Sequence, residues 1–157
     1  MKSAARHAFI IAFSVTALAV QAAGGDEPGP RGGPVDPIIE KAVAANEQKD
    51  WARSQSILRD ALVQDARNAD YHNLYAYAIR KGDKPNLDLV FKHYNEALRI
   101  DPKHLGAHEY LGEAYLMLGN LAKAKEHLST LDRLCFFGCD EYSLLKKAVA
   151  EFEAKGK

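Results

Sequence analysis

Residues 107–128 read AHEYLGEAYLMLGNLAKAKEHL, and this stretch carries the pattern on which the fold prediction rests. Apolar side chains recur every three or four residues on both sides of the Gly119-Asn120 pair, as they do on amphipathic helices. A Gly-Asn pair is typical of a turn, and Asn120 is suited to cap the helix that follows it. The stretch therefore predicts two helices, over residues 105–118 and 121–134, joined by a tight turn.

The same periodicity continues on both sides of this stretch, and no alternating strand pattern interrupts it. Further helices are predicted over residues 37–48, 51–64, 69–81, 86–100 and 140–154. The chain is thus predicted to be all-α. Each helix pair is too small to be stable alone, so the pairs are expected to stack on one another.

Comparison of the chain with itself reveals an internal repeat. Residues 65–68 (DARN) and 101–104 (DPKH) occupy the same kind of turn, 36 residues apart, and His72 and His108 have the same separation. A period of 34 to 36 residues with two helices per unit divides the helical region into three repeats. Their ranges are 35–68, 69–104 and 105–138.

These features resemble the tetratricopeptide repeat family, whose units have this length and this helix-turn-helix form. The family's characteristic residues occur in the third repeat as Leu111, Gly112, Tyr115, Gly119 and Ala124. The resemblance implies a right-handed superhelix of stacked helix pairs. The chain is expected to be a small exported bacterial member of the family. Residues 139–157 are predicted to form a capping helix. Its apolar stripe consists of Tyr142, Leu144, Leu145, Val149 and Phe152.

Proteins of this family bind peptides or partner proteins in the concave groove lined by the first helix of each pair. Carried over to this chain, the resemblance implies a groove that contains Asn73, Tyr77, Arg80, Lys81, Glu109 and Glu113. The groove is expected to place a basic step, Arg80-Lys81, beside an acidic one, with Tyr77 as the main anchor. The chain is therefore expected to be a non-catalytic scaffold or adaptor for a protein or peptide partner, either as a monomer or within a larger assembly.

The N-terminal residues resemble an export signal. Two basic residues, Lys2 and Arg6, precede an apolar run over residues 8–20, and small residues follow at Ala22 and Ala23. Residues 1–23 are predicted to be a signal peptide, which places the mature protein outside the cytoplasm, in the periplasm, with no membrane insertion after cleavage. Eight of the eleven residues over 24–34 are Gly or Pro, which predicts a flexible linker.

The two cysteines, Cys135 and Cys139, lie four residues apart. In an oxidising compartment such a pair tends to form a disulfide, and Gly138 can break the helix so that the sulfurs meet. The alternative function for the chain is an envelope thiol-redox or copper-handling protein, because thiolates suit copper(I).

Other kinds of chemistry have little support in the sequence. The chain has 21 basic and 21 acidic residues, so its charge does not favour nucleic acid. No nucleophile motif is present, and no cofactor is expected. His104 and His108 have a spacing that metal ligands use, but the repetition of His108 at His72 favours a packing role.

Overall fold

The structure, a computed structural model, describes residues 36–156. Within this range it contains seven α-helices and no strand. The helices are α1 (Pro37–Glu47), α2 (Trp51–Gln64), α3 (Ala69–Lys81), α4 (Leu87–Ile100), α5 (Leu105–Met117), α6 (Leu121–Leu134) and α7 (Asp140–Lys155). The all-α prediction is confirmed, and the predicted helix ends agree with these bounds to within one residue. The predicted signal peptide and linker, residues 1–23 and 24–34, lie outside the described residues.

Every helix begins at a side chain that accepts a hydrogen bond from a backbone N–H of the first turn, which satisfies one of the donors that a helix start leaves free. At α5 the cap is His104, whose Nδ1 accepts from Ala107, and at α7 it is the sulfur of Cys139. The other caps are Asp36, Asp50, Asn68, Asn86 and Asn120. Local sequence therefore fixes where each helix starts.

Each helix packs against the next one along the chain, and α3 also contacts both α1 and α5. The apolar interior consists of three successive clusters. The first contains Ala42, Leu58, Ala61 and Tyr71; the second contains Ala76, Ile79, Val90, Tyr94, Leu111 and Ala114; the third contains Ala124, Leu131, Leu145 and Val149. Because each cluster draws on neighbouring pairs, no pair has a complete core of its own, as expected for stacked repeats.

The last helix, α7, covers the end of the stack by packing against α5 and α6. A Cβ atom at Gly112 would lie 2.6 Å from Leu145 Cδ2, so the contact requires the absence of a side chain there. Leu145 and Val149 are 0% and 5% exposed, whereas Leu144 is 50% exposed. The prediction that Leu144 belongs to the buried stripe is wrong, because the face that α7 presents to α5 is centred on Leu145 and Val149, one helical turn apart.

Two histidine pairs join the helices of the second and third repeats. His72 Nδ1 lies 2.7 Å from His93 Nδ1, and His108 Nδ1 lies 2.9 Å from His127 Nδ1. In both pairs the first histidine also has its Nε2 atom 3.1 Å from a backbone carbonyl oxygen, that of Ala66 or Pro102. A neutral first ring that donates through Nε2 to this carbonyl accepts a hydrogen bond at Nδ1 from the second ring.

This arrangement requires the first ring of each pair to be neutral, because its Nδ1 atom is the acceptor. Burial, followed by the electrostatic effect of the paired histidine, lowers the pKa of His93 to about 4. The same two causes lower the pKa of His127 to about 4. A proton added to Nδ1 of the first ring would remove the lone pair that accepts this hydrogen bond.

Candidate functional site

Three half-buried aromatic rings from successive helices lie next to one another. The ring centroid of Tyr77, on α3, is 6.1 Å from that of Trp51 and 4.8 Å from that of Tyr110 on α5. Trp51 begins α2, so the three rings connect all three repeats. We call them the aromatic strip. A cavity of about 310 Å³ lies at its Trp51 end and is also lined by Gln55 and Gly82.

A partly buried ion pair lies beside the strip. Arg80 Nη2 is 2.7 Å from Glu113 Oε2, and Arg80 Nε donates a hydrogen bond of 3.3 Å to Tyr94 Oη. The guanidinium carbon is 5.6 Å from the ring centroid of Tyr77 and 5.5 Å from that of Tyr110. Arg80 on α3 thus bonds to α4 through Tyr94 and to α5 through Glu113. Its guanidinium group also contacts two of the three rings, those of Tyr77 and Tyr110.

Two further polar residues occupy equivalent positions on α3 and α5, 36 residues apart. Asn73 is 5% exposed and Glu109 is 4% exposed. Asn73 Oδ1 accepts no hydrogen bond from any described residue. The amide nitrogen of Asn73 lies against Gly106, 3.2 Å from where a Cβ would be, one helical turn before Glu109. These residues complete the α3–α5 cluster, which consists of Asn73, Tyr77, Arg80, Glu109, Tyr110 and Glu113.

The charge around Glu109 is predominantly acidic. Burial, followed by repulsion from Glu113, Glu141 and Asp140, raises the pKa of Glu109 to about 8, while Arg80 opposes the change. The two α7 acids reach this point because α7 packs directly on α5. Glu109 therefore carries a proton for most of the time at neutral pH, inside the acidic end of the cluster.

The structure brings most of the predicted groove residues together but differs from the sequence-based view of their charge. Tyr77, Arg80 and Glu113 are in contact, and Lys81 Nζ is 6.0 Å from the Tyr77 ring centroid. The expected basic step is half absent, because Arg80 is only 9% exposed and pairs with Glu113. Lys81 is the exposed cation of that step.

Two members of the aromatic strip, Trp51 and Tyr110, were missed by the sequence analysis. Trp51 begins the second helix of its pair, and the family resemblance directs attention to the first helices. Tyr110 lies beside Glu109 on α5, and its ring faces Tyr77 on the preceding repeat. The sequence signal that could have found both is the presence of one large aromatic residue in each repeat, close to the helix positions that pack beside Tyr77 in the stack.

Cys135 and Cys139 form a disulfide, with an S–S distance of 2.05 Å. Cys135 ends α6 and Cys139 caps α7, and the loop between them turns through Gly138, at φ +87°. The loop exposes Phe136 and Phe137 to solvent, at 85% and 98%. The bridge thus fixes the junction between the third repeat and α7.

Within residues 36–156, no group of three or more His, Cys, Asp or Glu side chains is arranged to hold a metal ion. No helix in the same range is both long enough and apolar enough to cross a lipid bilayer.

Comparison with known proteins agrees with the repeat structure. Residues 86–134 match the tetratricopeptide repeat family. No curated protein matches the sequence significantly. Among solved structures, the Arabidopsis OM64 tetratricopeptide repeat domain has a TM-score of 0.63 and 20% identity, covering 73% of this chain and 92% of that one.

Two similar structures contain bound peptides. One is the Yersinia enterocolitica type III secretion chaperone SycD in complex with a peptide of the translocator YopD, with a TM-score of 0.63, 15% identity and coverage of 76% of this chain and 92% of that one. The other is the second tetratricopeptide repeat domain of human RPAP3 in complex with an HSP70 peptide, with a TM-score of 0.61, 19% identity and coverage of 74% and 92%. At these identities the likeness defines the fold. The chain therefore has the all-α superhelical fold of stacked helical repeats, and residues 86–134 are similar to the tetratricopeptide repeat family.

Proposed function

We propose that this protein is a non-catalytic adaptor that binds an extended segment of a partner protein across its concave face. The observation that carries the proposal is the aromatic strip of Trp51, Tyr77 and Tyr110, with the cavity at its Trp51 end. Half-buried aromatic rings are preferred anchors in protein interfaces because they bury a large area at little conformational cost. The complexes of SycD with a YopD peptide and of RPAP3 with an HSP70 peptide support the same use of the fold.

The strip has the form of a binding surface. Its rings come from all three repeats, so a segment that crosses them contacts the whole stack. Arg80 holds two of the rings from below through fixed contacts, which makes them preorganised. The cavity beside Trp51 is large enough to accept a single side chain of the partner.

The test is photo-crosslinking in the source cells, with a photoreactive phenylalanine analogue in place of Tyr77. A matched probe replaces Lys125, whose side chain is 52% exposed and pairs with Glu153 on α7. We expect one specific protein to be captured from Tyr77 and not from Lys125. Capture of nothing above background at Tyr77, in a variant that remains folded, would contradict the adaptor function.

We also propose that the protein acts outside the cytoplasm, in the periplasm. The signal-like sequence of residues 1–23 supports export, and the Cys135–Cys139 disulfide supports an oxidising compartment. Cell fractionation combined with N-terminal sequencing of the native protein tests this. We expect a mature chain that begins near residue 23, in the periplasmic fraction. An uncleaved chain in the cytoplasm would overturn the proposal.

A further inference from the structure

The acidic end of the α3–α5 cluster has more negative than positive charge. Glu109 and Glu113 come from α5, and Asp140 and Glu141 come from α7. Against these four acids, Arg80 is the one base among the charged groups that act on Glu109. Its guanidinium group already pairs with Glu113, at 2.7 Å. Glu109 is therefore left in an acidic environment with no cation of its own.

A buried acceptor without a partner lies on the neighbouring helix α3. Glu109 itself is 4% exposed. Asn73 Oδ1, at the equivalent position of the preceding repeat, is fully buried and accepts no hydrogen bond from the described residues. Leaving such a group unpaired is unfavourable. A hydrogen-bond donor from a bound partner would therefore stabilise this part of the cluster.

The rings next to Glu109 favour a cation. The faces of Tyr77 and Tyr110 carry negative potential, and Arg80 already lies 5.6 Å and 5.5 Å from their centroids. Lys81 lies 6.0 Å from the Tyr77 centroid, at the solvent side. The rings therefore suit the passage of a positively charged side chain across the strip toward Glu109.

We propose that the bound segment of the partner presents a basic side chain, arginine or lysine, that pairs with Glu109 beside Tyr110. This inference rests on the proposed adaptor function and adds the chemistry of the partner to it. The cation balances the negative charge of the acids of α5 and α7. An acidic segment is disfavoured at the same place, because it would add a further negative charge to the four acids.

The pairing has a measurable consequence for protons. Since burial and the neighbouring acids hold the pKa of Glu109 at about 8, a cation that pairs with the ionised form must release a proton when it binds at pH 7. The ionised fraction of Glu109 rises from about 0.1 at pH 7 to about 0.9 at pH 9. The affinity for a cation is therefore expected to increase about tenfold over this interval.

The experiment uses two small probes, N-acetyl-arginine amide and N-acetyl-citrulline amide, which have nearly the same shape and differ in charge. Each is titrated into the ¹⁵N-labelled full chain while the backbone amides of residues 106–113 are followed by NMR. We expect saturable shifts for the arginine probe at about millimolar concentrations and about tenfold weaker binding of the citrulline probe. Glu109→Gln should reduce the arginine affinity about tenfold. Glu151→Gln, an exposed acid on α7 that lies 4.0 Å from Lys147, should not change it.

Equal binding of the two probes, or unchanged arginine binding in Glu109→Gln, would overturn the inference. Thermal unfolding of each variant shows whether it is folded, and Glu109→Gln should fold because glutamine has the shape of the protonated acid. If Tyr77 captures a partner protein but the arginine probe does not bind, the adaptor function stands and the basic anchor is wrong. If the probe binds and Tyr77 captures nothing, the cation site stands and the adaptor function is wrong.

Discussion

At the scale of single residues, Gly112 shows how close packing fixes the end of the stack. Its missing side chain allows Leu145 to approach the α5 backbone, since an added Cβ would lie 2.6 Å and 2.8 Å from the two Leu145 methyl carbons. We predict that Gly112→Ala destabilises the protein by about 1–3 kcal/mol, because the extra methyl group forces α7 or the Leu145 rotamer to move. Urea unfolding measures the change.

The control for this prediction is a double-mutant cycle with Leu145→Ala. Removing the leucine methyl groups also removes the clash, so the cost of Gly112→Ala should be smaller in that background. An equal cost in both backgrounds would show that the glycine acts through backbone conformation and not through its contact with Leu145.

Glu109 provides a second prediction at the residue scale, concerning pH and stability. In the folded protein its pKa is about 8, against an ordinary value of 4.5, so between these values the folded state holds a proton that the unfolded state has lost. Stability from this group is present below pH 4.5 and is lost as the pH rises toward 8. Glutamine does not ionise. We therefore predict that Glu109→Gln becomes more stable relative to the wild type by a few kcal/mol between pH 5 and pH 8.5.

Chemical unfolding at several pH values checks this prediction, with Glu151→Gln as the matched variant of an exposed acid. The difference between Glu151→Gln and the wild type should stay constant over the same range. A constant difference for Glu109→Gln as well would mean that the carboxyl group ionises at its ordinary pKa, and that the site is better solvated than its burial indicates.

At the scale of helix pairs, the two histidine contacts act as matched links within the second and third repeats. His93 and His127 are neutral in the folded state down to a pKa of about 4, whereas an unfolded histidine takes up its proton near 6.5. The charged groups that influence them are Lys92 and Glu96 in one pair, and Lys123 and Glu126 in the other. Since the unfolded state binds more protons between these values, stability is full above pH 6.5 and falls as the pH drops to 4.

We predict that the double variant His93→Gln and His127→Gln has a weaker dependence of stability on acid. Glutamine can still donate a hydrogen bond to the first histidine of each pair, but it cannot be protonated. From pH 7 to pH 4.5 the melting temperature of the wild type should fall by about 5 °C more than that of the variant. Parallel melting curves for the wild type and the variant would contradict the prediction.

At the scale of the whole molecule, the period of 36 residues and the cap residues were enough to predict the helices, because both are local properties of the sequence. The partners of each residue were harder to predict. His72 and His108 repeat with the period, but His93 and His127 are 34 residues apart, because the two residues added in the turn after Lys81 shift one relative to the other. The buried state of Glu109 could not be predicted either, because it depends on how α7 lies across α5.

The same dependence on α7 gives a prediction for the complete fold. The third core cluster combines Ala124 and Leu131 of α6 with Leu145 and Val149 of α7, so removing α7 exposes one side of it. A stack of repeats needs a terminal element with one polar face to stay soluble and stable. We predict that a chain ending at residue 138 unfolds at lower urea concentration and self-associates, as measured by urea titration and sedimentation.

The control for the lost disulfide is the full-length double variant Cys135→Ser and Cys139→Ser. It should remain monomeric and lose about 2 kcal/mol or less of its free energy of unfolding. A truncated chain as stable as this control would mean that the three repeats complete their own core and that α7 has another role.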